Sequence, residues 1–88
     1  METDVSKGAA VEMCRLSVGE RGRVMHIGVE GDFKRRLSDL GLVDGTVVEC
    51  VGRSPMGDPV AFLIRGAVIA LRSEDCRAVT VRRLGEDE

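Results

Sequence analysis

The sequence predicts a mainly β domain, a small and strongly bent barrel of about five strands with one short inserted α-helix. Three observations lead there. Short β-branched or apolar runs recur with turn signals at intervals of about eight to twelve residues, the spacing of small sandwiches and barrels. Only one segment, Asp32–Leu40, changes to a helical period. The 88 residues contain enough Val, Ile, Leu and Phe, about 28% against the ~20% below which chains stay disordered, for one small core. A domain of this size buries only about 60% of the surface its unfolded chain exposes, so its stability is expected to be modest.

Residues 1–14 mix Ser, Lys, Gly, Ala and acid without a sustained period and are predicted to be a flexible lead-in. The domain is placed at 15–84 and an acidic tail at 85–88. Leu16–Gly22 reads as an anchor and a turn, and Arg23–Ile27 as a strand. Asp32–Leu40 carries Phe33, Leu37 and Leu40 on one apolar stripe at i, i+4 and i+7. Asp32 is placed as the N-cap, Gly41 as the left-handed residue that ends the helix, and Leu42 as the side chain packing back on its last turn. A helix so short is marginal alone and has to dock. Asp44-Gly45 is a turn, Thr46–Arg53 a strand, and Ser54–Pro59 a loop held by two prolines. Val60–Ile64 and Ala67–Leu71 form a hairpin through Arg65-Gly66. Ser73-Glu74-Asp75 is a turn or a single helical turn, and Ala78–Arg83 the last strand.

The net charge of −2 is set by the ends. Residues 1–14 carry −2 and 85–88 carry −3, so the body is mildly basic at +3, and eleven of the thirteen bases are Arg. The longest apolar runs are five residues, against the ~20 needed to cross a bilayer, so no direct membrane insertion is expected. Met1-Glu2-Thr3-Asp4 bears acid where a secretory signal bears base, which points to a cytoplasmic protein. Cys14, Cys50 and Cys76 are odd in number and widely spaced, as reduced thiols are.

No catalytic constellation has workable spacing, and the chain is read as a non-enzyme. The only histidine, His26, lies in a strand, and no phosphate-cradling Gly-rich loop with Lys-Ser or Lys-Thr is present. His26, Cys50 and Cys76, with Cys14, are the candidate ligands for a transition metal, but their spacing fits no zinc pattern. Cys50, in an apolar strand, reads as a small hydrophobe. A weakly held divalent ion, Fe²⁺ or Zn²⁺, is the one cofactor this leaves open. Nucleic acid is not expected as a partner. Trp and Tyr are absent, Phe33 and Phe62 fall on core faces, and a +3 body is a poor match for a phosphate backbone.

The succession of helix, Gly41-Leu42, Asp44-Gly45-Thr46, strand, Ser54-Pro55-Met56-Gly57-Asp58-Pro59-Val60, strand, Arg65-Gly66 and a strand ending Leu71-Arg72 resembles the FeoA family. The likeness runs from about Leu16 to Arg82. Arg36–Leu42, the Pro-Met-Gly-Asp-Pro loop and Arg65-Gly66 followed by Ala70-Leu71-Arg72 are its most specific parts. The resemblance implies an SH3-like barrel and an accessory role in bacterial ferrous iron transport. It also implies a partner, the FeoB-type membrane permease with its cytosolic GTP-binding domain. A related domain ends some iron-dependent repressors, behind a helix-turn-helix and a metal-binding dimerisation domain, and with a lead-in of 14 residues neither is expected here.

A well-specified fold without catalytic groups should work by binding. The predicted contact residues are Lys34, Arg35, Arg36 and Asp39 on the helix, with Met56 and Asp58 in the loop. Met56, flexible and apolar at a loop tip, suits an adaptable interface. The alternative is a sensor domain that responds to a divalent transition metal. An open barrel also leaves an edge strand on which a homodimer could form.

Overall fold

The computed structural model describes residues 9–85. They form one antiparallel sheet of six strands, in the order β1 (Ala10–Glu12), β6 (Val79–Arg83), β2 (Arg21–Ile27), β3 (Val47–Arg53), β4 (Val60–Ile64) and β5 (Ala67–Leu71). Two helices interrupt it, α1 (Asp32–Asp39) and the single turn α2 (Ser73–Arg77). Register shifts between Val24 and His26 on β2 and between Cys50 and Gly52 on β3 bend the sheet, because an extra residue on one strand increases local twist. The sheet curls around one core without strict closure, since β1 and β5 lie at opposite ends of the strand order.

Alternation along the strands fills that core. Val24 and Ile27 of β2, Val48 and Cys50 of β3, and Val60, Phe62 and Ile64 of β4 all point inward, with Leu71, Val79 and Val81 from β5 and β6. Leu37 is the buried anchor of α1, and Leu42 follows it in. No charged or polar residue is buried among the described residues.

The sixth strand is the main departure from the predicted five. Ala10, Val11 and Glu12 pair with Arg82, Val81 and Thr80, and the 3₁₀ turn Met13–Arg15 then buries Met13 completely, as Leu16 is buried just after it. The described part of the expected lead-in, 9–14, is therefore part of the fold, while 1–8 lie outside the described residues. Two arginines fix this segment. Arg53 Nη2 donates to the carbonyls of Cys14 and Leu16 at 3.1 and 2.8 Å. Arg83 Nη2 donates to the carbonyl of Arg15 at 3.1 Å, and its Nε lies 3.5 Å from the Glu20 carboxylate. At the other end Gly85 O accepts from Arg21 Nη2 at 3.1 Å, and the rest of the acidic tail, 86–88, lies outside the described residues.

The helix ends divide between expectation and correction. The C-terminus of α1 closes in a Schellman arrangement: Gly41 N–H donates to Ser38 O at 2.9 Å and Leu42 N–H to Leu37 O at 3.1 Å, with Gly41 at φ +103°. The N-cap, however, is Gly31, not Asp32. Gly31 takes φ 76°, ψ −145°, and no side chain caps the helix. The chain arrives in a conformation only glycine adopts readily, which moves Asp32 into the first turn. There its charge still faces the positive end of the helix.

Candidate functional site

Helix α1 presents Lys34, Arg35, Arg36 and Asp39 on its exposed side, because Phe33, Leu37 and Leu40 face inward. These four charges are not equivalent. The Arg36 guanidinium stands 5.1 Å from the centre of the Phe33 ring, a cation–π contact that screens a half-buried aromatic. Lys34 and Arg35 show no such engagement.

The loop after β3 is a compact turn. Gly57 N–H donates to Ser54 O at 2.8 Å, Ser54 N–H donates to Pro59 O at 3.1 Å, and the Asp58–Pro59 peptide is cis. Met56 stands 91% exposed at its tip. Asp58, predicted as a contact residue, is exposed and also makes a structural bond: its Oδ1 accepts the Ser73 N–H at 2.9 Å, satisfying a free donor at the start of α2. The helix and the loop do not form one patch. The C-terminal end of α1 lies beside Ile64 and Arg65, at the far end of β4, whereas the loop precedes β4.

Sequence reasoning missed Arg65 as a site residue. It opens the β4–β5 turn at φ 51°, followed by Gly66 at φ 87°, the doubly positive geometry of a type I′ hairpin. A positive φ is uncommon at arginine. Its stem crosses Gly41 so closely that a β-carbon there would lie 2.6 Å from Arg65 Cδ. Arg65, Asp39, Leu40, Ile64, Ala67 and Ile69 line an open cleft of about 440 Å³ between α1 and β5. The signal available in the sequence was an Arg-Gly pair between two apolar runs, which specifies a turn but not its neighbour.

The candidate metal ligands are scattered. His26 is exposed on β2 opposite Thr80. Cys50 is in the core with Sγ 3.9 Å from Gly52 O, and Cys76 is buried under α2 with Sγ 3.9 Å from Leu71 O. Half-buried Cys14 donates to the Glu12 carboxylate at 3.6 Å. Burial, with nearby Cys14 and Asp75, pushes the Cys76 thiol up to about 12. Burial and the Glu12 charge raise Cys14 as well. Both shifts favour the thiol over the thiolate, the form that ligates a metal. Among the described residues no three His, Cys, Asp or Glu side chains are grouped to hold an ion.

The outer face of the sheet has two characters. Arg23 and Arg82 stand directly opposite each other on β2 and β6, and Arg23 relieves the repulsion by donating to Gly45 O at 3.2 Å. Across β3, β4 and β5 the same face carries Val51, Leu63 and Val68, all exposed.

Three comparisons bear on this arrangement. The FeoA domain model matches residues 11–83. A Porphyromonas gingivalis protein described as an Fe(2+) transport protein A/Fe(2+) transporter FeoB fusion is 25% identical over 77 residues. The match covers 88% of this chain but spans only 9% of that relative's length. The solution structure of a Chlorobium tepidum FeoA protein is 32% identical with a TM-score of 0.79, covering 89% of this chain and 74% of that one. A Stenotrophomonas maltophilia FeoA complexed with zinc, described as a prokaryotic SH3 domain protein, is 26% identical with a TM-score of 0.65. It covers 78% of this chain and 86% of its own. The mainly β, SH3-like architecture is therefore common to this chain and these two solved structures, with the sheet left open here.

Proposed function

The chain belongs to the FeoA family, a family of ferrous iron transport, and on that premise we propose that it is a non-enzymatic cytoplasmic accessory protein that binds the cytosolic region of a FeoB-type permease. The single observation that supports this most is the P. gingivalis relative, in which the matching segment shares one polypeptide with FeoB. Two functions held permanently at high effective concentration in one chain are natural candidates for contact when encoded separately. Lys34 and Arg35 on α1, and Met56 on its loop, are the free groups that would make the contact. Arg36 contributes from its stacked position, and Asp58 holds the loop in shape. Exposed charges of this kind act mainly on the association rate and its salt dependence.

The test is calorimetric titration of the full chain into the cytosolic region of FeoB. Reversing Arg35 and Arg36 to Glu should weaken binding at least about tenfold, a change of ~1.4 kcal/mol, while the fold survives. Wild-type affinity in that double variant would remove α1 from the interface. Absence of any binding by the wild-type chain would end the reading itself.

A second reading, a domain that responds to a divalent metal, is favoured by the zinc complex of the S. maltophilia protein. Thermal melting with Fe²⁺, Zn²⁺ or Mn²⁺ separates the two. An ion at 100 times its Kd should stabilise the fold by about 2.7 kcal/mol, and an unchanged melting temperature would reject tight binding.

A further inference from the structure

The two borders of the sheet are built differently. β1 is only three residues long and includes Glu12, a short, charged edge of the kind that resists further pairing. β5 has none of these protections. Its five residues, Ala-Val-Ile-Ala-Leu, contain no charge and no proline, and its register with β4 runs from Ile64↔Ala67 to Val60↔Leu71 without a bulge. Among the described residues no strand lies beyond it. Val68, its second residue, is 66% exposed.

The hairpin also determines which backbone groups are unpaired. In a two-residue hairpin the pair flanking the turn, here Ile64 and Ala67, is hydrogen-bonded, and bonded and non-bonded pairs then alternate. Ala67, Ile69 and Leu71 therefore bond to β4, while the N–H and C=O of Val68 and Ala70 point away from the sheet.

We propose that β5 is a self-association edge, on which a second copy of this chain pairs β5 to β5 antiparallel about a two-fold axis at Ile69. The outward groups are self-complementary in that register. Val68 stands opposite Ala70 of the second copy and Ala70 opposite its Val68, so each pair exchanges two backbone hydrogen bonds and none of the four outward donors is left over. Ile69 meets its own counterpart on the inner face. There an added strand lies beside the open cleft lined by Leu40, Ala67 and Ile69. On the outer face the apolar surface of Leu63 and Val68 becomes continuous across the axis. Charge fits as well: the turn that carries Arg65 in one copy comes to the end of β5 in the other, where α2 opens with Glu74 and Asp75 in its acidic first turn. Pairing is isologous, so it uses up the edge and stops at two copies. Five residues a side make a small interface, so the dimer is transient and concentration-dependent.

Sedimentation equilibrium and amide hydrogen exchange of the full chain test this. Raising the concentration to about 1 mM, where a dimer with a dissociation constant near ~1 mM becomes visible, should move the mass from 9.5 kDa towards twice that value. The amides of Val68 and Ala70 should gain protection over the same range. Val68→Lys places like charges near the axis, and Ala70→Pro removes one outward N–H without touching the β4 ladder. Each should weaken the dimer at least about tenfold with the native chemical-shift pattern of β4 retained. A monomer throughout the range overturns the proposal. So does a dimer that survives both variants, or one whose protection appears on β1 or α1 instead.

Discussion

Gly41 stands where a side chain would meet two obstacles, its own φ of +103° and the Arg65 stem 2.6 Å from a β-carbon. The backbone alone should make Gly41→Ala cost about 1–2 kcal/mol, and the side-chain clash adds to that. Chemical denaturation separates the two contributions. Adding Arg65→Ala to Gly41→Ala should recover only the clash, so full recovery would mean the backbone cost is absent. The thiols carry a different signature. Cys76, held near 12 in the folded chain against an ordinary value of 9.0, favours the folded state fully below pH 9. Above that pH the unfolded chain sheds the proton and the folded chain keeps it, so the stabilisation is lost progressively as pH rises from 9 towards 12. A urea midpoint that falls across that window in wild type, and falls less in Cys76→Ala, is the expected outcome. At pH 8 a thiol reagent should modify half-exposed Cys14 well before Cys50 or Cys76.

At the level of elements, α2 is a single turn whose start is held from outside by Asp58. Asp58→Ala should cost about 1 kcal/mol, as loss of a cap does, and Asp58→Asn, which keeps an acceptor, should cost less. A loss confined to permease binding with unchanged stability would make contact, and not the α2 bond, the role of Asp58. This bond also shows what was legible in the chain. β4, β5, their hairpin and the Gly41 stop could be read because each depends on neighbours within a few residues. Asp58 to Ser73, and Arg53 and Arg83 to the carbonyls of 14–16, are long-range bonds that no local pattern announces. β1 was missed for the same reason: Ala10–Glu12 is too short to show a period, and its partner β6 lies about seventy residues away. Among the proposed contact residues, periodicity placed Lys34, Arg35 and Asp39 on the wet side of α1, but it could not show Arg36 lying over Phe33. Arg65 escaped because its relation to Gly41 exists only after the helix has docked.

For the molecule as a whole, Met13, fully buried, makes the segment before Arg15 part of the core. A chain shortened to begin at Arg15 should lose about 2–5 kcal/mol, the usual cost of deleting one large buried side chain. That is a large fraction of the 5–15 kcal/mol typical of a domain. Urea unfolding of the shortened and full chains compares them directly, and equal midpoints would show that 1–14 is dispensable after all.

The seam between β1 and β6 also has a topological consequence. Arg83 N–H donates to Ala9 O at 2.9 Å, so the polypeptide enters and leaves the fold side by side. Anything spliced on at either end hangs from that one border, like a door from its hinge, and the hairpin at the far border swings free of the tether. With Ala9 and Arg83 this close, a short linker between those two positions and a new opening in the Ser54–Pro59 loop make a circular permutation the barrel should tolerate.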